Sequence, residues 1–510
     1  MTKTGKVFLV GAGPGDPGLI TVRGLELVRA ADVVVHDQLG APAFLGMARP
    51  DAELVDVGKR SGDHTLPQDG INRLLVERAK AGNLVVRLKG GDPLVFGRGG
   101  EEMEELEKAG IPYEVVPGVT SAIAGPAYAG IPITHRACTP ALAVVTGHEA
   151  DGKDASNIPW ASLAGIGTVV FLMGVKTLGA ISRRLVEAGK SPETPVAVIE
   201  RATFPRQRTV TGILADIESK ARSADVKPPA LVVVGDVVAY RERLAWFERR
   251  PLFGKTIVVT RARAQASDLS AKLRARGAEV IEAPAIRIEP LSPNPVFDDF
   301  IRDHAKYADL VFTSVNGVDG LVEGLVARGA DLRLVAGKRI VCIGPATADA
   351  FRMRGIIPDA IPETYVAESL VPLFEGRTPG SVAILRAEQA REVLPEALRK
   401  FGYAVDVIPL YRTISGNPDT AALLEAFRSG RVDAVTFTSS STVERFLEAL
   451  SGSGIDPASI PGVAIGPVTA DACREHGVRL IGMAAEHTVP GLVAKLDELF
   501  STIQQEGRGA

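Results

Sequence analysis

The residues best placed to do chemistry early in the chain sit in two glycine-rich turns. Gly11-Ala12-Gly13-Pro14-Gly15-Asp16-Pro17-Gly18 follows an apolar run at residues 7–10, and Gly90-Gly91-Asp92-Pro93 follows another at residues 84–88. Glycines beyond a strand let the backbone approach a ligand closely, and open α/β sheets bind ligands beyond their strand ends. The obvious reading of the first turn is dinucleotide binding, with Asp37 imitating the ribose-binding acid. Two details oppose it. Asp16 takes the place of the third glycine, and Pro14 and Pro17 offer no N–H groups to a pyrophosphate. The second turn carries one acid, Asp92, and suits a ligand that is cationic or rich in N–H and O–H donors. A tight turn with a helix-capping Asp is the plainer alternative.

The elements that must position these turns follow from the pattern of the whole chain. At 510 residues it is too long for one core, and its 53 Gly and 34 Pro imply many short turns. Short β-rich apolar runs alternate with helical stretches, for example at residues 33–35, 169–173 and 231–234, which predicts an α/β fold with mostly parallel sheets. The clearest boundary is Trp246-Phe247-Glu248-Arg249-Arg250-Pro251, where charge and proline interrupt the pattern before a new strand at residues 255–260. A weaker break lies at Pro117-Gly118. Beyond the boundary the chain repeats itself. Val259-Thr260-Arg261 recurs as Ile384-Leu385-Arg386, and Phe312-Thr313-Ser314 as Phe437-Thr438-Ser439, both 125 residues on. Ile343-Gly344-Pro345-Ala346-Thr347 recurs as Ile465-Gly466-Pro467-Val468-Thr469, 122 residues on. So steady a register predicts two similar α/β units with equivalent loops.

Composition excludes several classes. A formal charge of −3 gives no electrostatic reason to expect nucleic acid or an anionic membrane. No stretch approaches the roughly 18 apolar residues of a membrane helix, and the N-terminal residues lack the pattern of a signal peptide. Cys138, Cys342 and Cys473 are far apart with no CxxC, so neither a disulfide framework nor a metal site is expected, and a cytoplasmic setting fits. Buried small hydrophobes are the plain reading of all three.

The segments KVFLVGAGPGDPGLIT, VGKRSGDHTLPQDGIN, VVRLKGGDPLVFGRGGEE, GIPYEVVPGVTSAIAGPAYAGIPITHR, VVFLMGVKTL and TPVAVIERATFPRQRTVTG occur in an order that resembles the uroporphyrinogen-III C-methyltransferases of the tetrapyrrole methylase family. The resemblance implies two α/β subdomains, residues 1–117 and 118–250, a homodimer formed through this half, and S-adenosyl-L-methionine in the cleft. Carried over by motif, the cofactor contacts are Pro14, Gly90, Gly91, Asp92, Val95, Thr120, Ser121, Met173 and Ala202. Asp37 is then the proton acceptor and Lys59 the proton donor, with Arg60 and Arg136 as partners for substrate carboxylates. A carboxylate such as Asp37 suits the positive charge that C-methylation puts on the macrocycle. His36, Gly70 and Ala202 stand where the family usually has Tyr, Glu and Gly.

The second half resembles the uroporphyrinogen-III synthases, through KTIVVTRARAQASDLSAKLRARGAEVIEAPAIRI, ADLVFTSVNGV, RIVCIGPATADAF, DAVTFTSSSTVERF and VAIGPVTADAC. That family's fold implies two flavodoxin-like domains: an outer one of residues 254–288 plus 411–502, and an inner one of residues 289–410. Residues 246–254 are the expected interdomain linker. Ser314, Thr347, Ser439, Ser440 and Thr469 are the implied substrate contacts, although serines and threonines at helix starts also serve as ordinary N-caps. No Ser-His-Asp, Cys-His or paired-carboxylate arrangement is readable here, and Tyr411 is the implied general acid. The expected function is cyclisation of hydroxymethylbilane to uroporphyrinogen III, then two methyl transfers to precorrin-2. Two alternatives stay open: a synthase-like module that senses tetrapyrroles without turnover, and an NAD(P) oxidoreductase fused to a binding module.

Overall fold

The structure is a computed structural model that describes residues 4–37, 42–58, 66–147, 157–261, 263–364, 366–415 and 420–506. Its contacts divide the chain into two units, Met1–Lys255 with Arg276–Glu279, and Thr256–Ala275 with Val280–Ala510.

The first unit contains two five-stranded sheets. One has the order Glu53–Asp56, Val33–His36, Leu84–Lys89, Lys6–Gly11, Tyr113–Val116, and every pair is parallel. Its inner strands are largely apolar because helices cover both faces, with Arg87 and Lys89 the exceptions in Leu84–Lys89. Phe8, Val10, Val34, Val86 and Leu88 pack on one face with Leu27 and Val28 of helix Val22–Ala30. On the other, Val7, Leu9, Val33, Val35 and Val85 pack against helices Gln68–Lys80 and Gly99–Lys108 through Ile71, Leu75, Ala79 and Leu106.

The other sheet runs Leu142–Thr146, Thr168–Leu172, Ala230–Val234, Pro195–Glu200, Arg208–Ile213. Only its first pair is parallel; the remaining three are antiparallel. Mostly parallel sheets are expected from the sequence, but a fully buried strand reads as the same apolar run in either direction. Its direction comes from the connections around it.

The second unit repeats one sheet plan. In one sheet the order is Glu279–Glu282, Thr256–Val259, Ala434–Phe437, Pro461–Ala464, Arg479–Met483; in the other it is Ile286–Pro290, Ala404–Ser415, Ser381–Ala387, Asp309–Phe312, Arg339–Cys342. Pairing each duplicated strand with its counterpart gives the same four-strand order in both sheets. Ala404–Ser415 lies parallel to Ser381–Ala387 along its first part and antiparallel to Ile286–Pro290 along its second.

Residues 246–254, expected to be a linker, are packed into the first unit. Phe247 is 3% exposed and its ring lies 4.7 Å from that of Tyr128. Glu248 accepts hydrogen bonds from Gln207 Nε2 at 2.8 Å and Thr209 Oγ1 at 2.9 Å. The charge and proline stand just before the division at Lys255–Thr256, and the aromatic ring of the same stretch is buried against the first unit.

Candidate active sites

In the first unit the two glycine turns are joined directly. The Gly91 N–H donates to the Gly13 carbonyl at 2.7 Å, and the Gly13 N–H returns the bond to Gly91 at 3.2 Å. Gly118, just beyond the fifth strand, approaches both strands so closely that a Cβ there would collide with the Gly91 carbonyl and with Gly11. Asp92 ties the same knot: its Oδ1 accepts from the Leu94 N–H at 2.8 Å and its Oδ2 from the Gly118 N–H at 3.0 Å. Gly91 has φ +69°, and a Cβ on it would meet nothing closer than the Thr120 Cα at 3.8 Å. The knot therefore opens toward Thr120 and Ser121, where Thr120 caps helix Ser121–Tyr128.

Asp16, which the dinucleotide pattern cannot accommodate, reaches across to the other sheet. Its N–H donates to Thr203 Oγ1 at 3.1 Å, and its Oδ2 accepts from the Tyr128 hydroxyl at 2.7 Å. Burial, and secondarily this bond, push the Tyr128 phenol well above its ordinary pKa. Thr203 and Arg201, which flank Ala202, hold left-handed backbone at φ +72° and +48°; Met173 does the same at +57°, as do Phe96 and Arg98. Side-chain-bearing residues are strained in that region, and such strain gathers at functional sites. Met173 and Val95 are exposed apolar side chains, and Ala202 is buried. Backbone groups, two hydroxyls and exposed apolar side chains fit a ligand that is part polar and part apolar, as S-adenosyl-L-methionine is.

Asp37 follows the second strand at the same sheet edge, with its side chain 27% exposed and its Oδ2 3.6 Å from Arg87 Nη2. His36 is buried, and its Nδ1 lies 3.4 Å from the Asp37 carbonyl oxygen. Arg136 is exposed in the turn closed by the His135–Thr139 bridge, and the Tyr240 hydroxyl lies 3.1 Å from His135 Nδ1. Lys59 and Arg60 lie outside the described residues. Sequence reasoning passed over Arg87, Lys89 and Glu102. The readable signal was two basic residues at alternate positions in the otherwise apolar strand Leu84–Lys89.

In the second unit the repeated loops begin helices. Ser314 Oγ accepts from the Gly317 N–H at 3.1 Å, and Ser439 Oγ from the Thr442 N–H at 3.3 Å. Ser440 Oγ donates to the Val468 carbonyl at 3.4 Å. Thr347 and Thr469 occupy the same place in helices Pro345–Arg352 and Pro467–Glu475, and both are buried. Tyr411 lies under Ser314 with a hydroxyl-to-hydroxyl distance of 2.8 Å. Burial raises its pKa against the opposing pull of Ser314 and Asn316. Arg386, also buried, donates to the Arg391 carbonyl at 2.8 Å and pairs with Glu392. Of the cysteines, Cys342 and Cys473 are buried as expected, and burial pushes their thiols up to about 12 and about 11. Cys138 is only half-buried.

Residues 6–218 match the family of Tetrapyrrole (Corrin/Porphyrin) Methylases, and residues 267–494 match Uroporphyrinogen-III synthase HemD. The porphyrin biosynthesis protein HemD of Ruminiclostridium josui is 39% identical over 498 residues, 97% of this chain and 98% of that protein. The uroporphyrinogen-III C-methyltransferase of Bacillus subtilis (strain 168) is 42% identical over 360 residues, 70% of this chain and 74% of its own length. A solved uroporphyrin III C-methyl transferase from Thermus thermophilus is 42% identical, covering 46% of this chain and 99% of that one, with a TM-score of 0.41. The chain belongs to the fused enzymes of tetrapyrrole biosynthesis, in which an S-adenosyl-L-methionine-dependent uroporphyrinogen-III C-methyltransferase precedes a uroporphyrinogen-III synthase.

Proposed function

We propose that the second unit cyclises hydroxymethylbilane to uroporphyrinogen III with inversion of ring D, and that the first unit methylates this product twice to give precorrin-2. S-adenosyl-L-methionine supplies the methyl groups. The glycine knot, Thr120 and Ser121 hold the donor, while the exposed Met173 and Val95 offer apolar contact. Alignment of the two reactants is the main contribution asked of the protein, because an electron-rich pyrrole carbon is already a nucleophile. Asp37 stabilises the positive charge that arrives on the macrocycle and accepts the proton that leaves it. Lys59 is the proton donor, and Arg60 and Arg136 meet substrate carboxylates. In the second unit Ser314, Thr347, Ser439, Ser440 and Thr469 line the substrate cleft with helix N-termini, and Tyr411 protonates the departing hydroxyl. A cytoplasmic homodimer formed through the first unit completes the reading.

The observation that carries it is the partly exposed Asp37 carboxylate beside the buried Arg87, at the sheet edge that bears the glycine knot. Mass spectrometry of products from hydroxymethylbilane tests both halves. Uroporphyrinogen III is expected without S-adenosyl-L-methionine, and a product heavier by two methyl groups with it. Recovery of hydroxymethylbilane or only its spontaneous isomer would end the synthase reading. Uroporphyrinogen III left unmethylated would end the transferase reading.

A further inference from the structure

One face of the first sheet stays apolar through Val7, Leu9, Val33, Val35 and Val85, then turns ionic at its C-terminal end. Alternation along the strands brings Asp37, Arg87 and Lys89 to that face, with Arg87 in register beside Val35 and Leu9. Arg87 and Lys89 are each 4% exposed and Glu102 is fully buried. Arg87 Nε and Lys89 Nζ both donate to Glu102 Oε1, at 3.2 and 2.9 Å, and Gln68 Nε2 does so at 3.3 Å. Glu102 Oε2 has no hydrogen-bond partner among the described residues. Arg87 Nη1 donates to the Leu88 carbonyl at 3.2 Å and more weakly to that of Val35 at 3.5 Å, which leaves Nη2 directed at Asp37.

Two cations sharing one carboxylate leave this buried cluster one positive charge in excess, and the Asp37 carboxylate restores neutrality. An uncompensated buried charge is costly, so the cluster favours Asp37 in its ionised form. Lys89 shows the same strain from the other side: burial, then the neighbouring Arg87, lower its pKa despite Glu102. Other polar and charged groups stand on the adjoining elements. His36 precedes Asp37; Asp56 stands beside His36 on the next strand and takes the Gly58 N–H at 2.8 Å; and Arg98 pairs with Glu101 at 2.6 Å on the helix that carries Glu102.

We infer that Arg87 is a positioning residue for methyl transfer: clamped by Glu102 and by backbone carbonyls, it orients Asp37 and keeps that carboxylate ionised where the macrocycle becomes cationic. This rests on the reading of Asp37 given above. The test is the pH dependence of methylation kcat/KM in the full chain with added uroporphyrinogen III, for wild type, Asp37→Asn, Arg87→Met and Glu102→Gln. S-adenosylhomocysteine binding by calorimetry checks that each variant is folded. Arg87→Met removes the cation facing Asp37, so the acid limb should move up by about one pH unit. Glu102→Gln removes the competing carboxylate and keeps Arg87, so its limb should stay at or below the wild-type position. A limb unmoved in an Arg87→Met protein that still binds S-adenosylhomocysteine overturns the inference, as does a rise in Glu102→Gln. Should Arg87→Met fail to fold, Arg87→Gln, which also removes the cation, should move the limb up in the same way, and an unmoved limb there overturns the inference. Wild-type methylation by Asp37→Asn would instead remove the role of Asp37, and the inference with it.

Discussion

Tyr411 and Ser314, 97 residues apart in sequence, share a hydroxyl-to-hydroxyl hydrogen bond of 2.8 Å, and Ser314 also caps helix Val315–Val326. The phenol is thus held against a helix N-terminus in a site that is 6% exposed. Tyr411→Phe should lower hydroxymethylbilane turnover by about 10²-fold or less, since a general acid normally contributes about 10²- to 10⁴-fold and the substrate's own ring assists loss of the hydroxyl. On the proposed reading, in which Ser439 and the other helix starts hold the substrate carboxylates, the product should remain isomer III. Chromatographic separation of the isomers decides it, and isomer I in the enzymatic fraction would make Tyr411 a ring-positioning group. Burial raises the pKa of this phenol, so it stays protonated to higher pH than a free tyrosine. Wild-type turnover should therefore show no basic limb from Tyr411 below its ordinary value near 10.

Asp37→Ala should reduce methyl transfer by about 10²- to 10⁴-fold while leaving S-adenosylhomocysteine affinity nearly unchanged. Synthase turnover should not move. Calorimetry beside a methylation assay separates the outcomes, and loss of cofactor binding as the main effect would make Asp37 a ligand contact.

Tyr128→Phe removes the hydroxyl that Asp16 Oδ2 accepts at 2.7 Å and leaves a half-buried carboxylate short of a partner. A hydrogen bond to a charged group is worth about 1.5–3 kcal/mol, so the first unit should lose about that much stability. S-adenosylhomocysteine should also bind more weakly, because Asp16 holds the Pro14 turn to Thr203. Denaturant titration and calorimetry on one preparation check both, and an unchanged Kd would confine the clasp to stability.

A fragment of residues 1–255 should methylate added uroporphyrinogen III. It ends beyond Arg250 because the Phe253 ring packs edge-on against Phe247 at 5.4 Å. A folded fragment that binds S-adenosylhomocysteine but transfers no methyl group would show that the halves depend on each other.

In the native protein a thiol reagent should label Cys138 first. Cys342 and Cys473 are buried with raised pKa values, and the thiolate is the reactive form. Peptide mapping after brief alkylation reads this directly, and early labelling of Cys342 would mean that its core opens.

Local chain chemistry made much of the protein legible from the sequence alone. Glycines that need left-handed backbone or close approach announced the two turns, apolar runs marked the strands, and the repeated loops predicted a plan that both sheets of the second unit share. What sequence could not supply were relations between distant elements. Nothing near Asp16 points to Tyr128, 112 residues on, and nothing near Arg87 says that Glu102, rather than water, receives its charge. Nor does an apolar run state its direction, and so the antiparallel insertion of Ala230–Val234 was hidden. These features come from packing helices onto sheets, which buries some charges beside one another and leaves Asp37 partly open beside them. A buried ion pair is decided by the company that tertiary structure gives each group, and that company is absent from any local stretch of sequence.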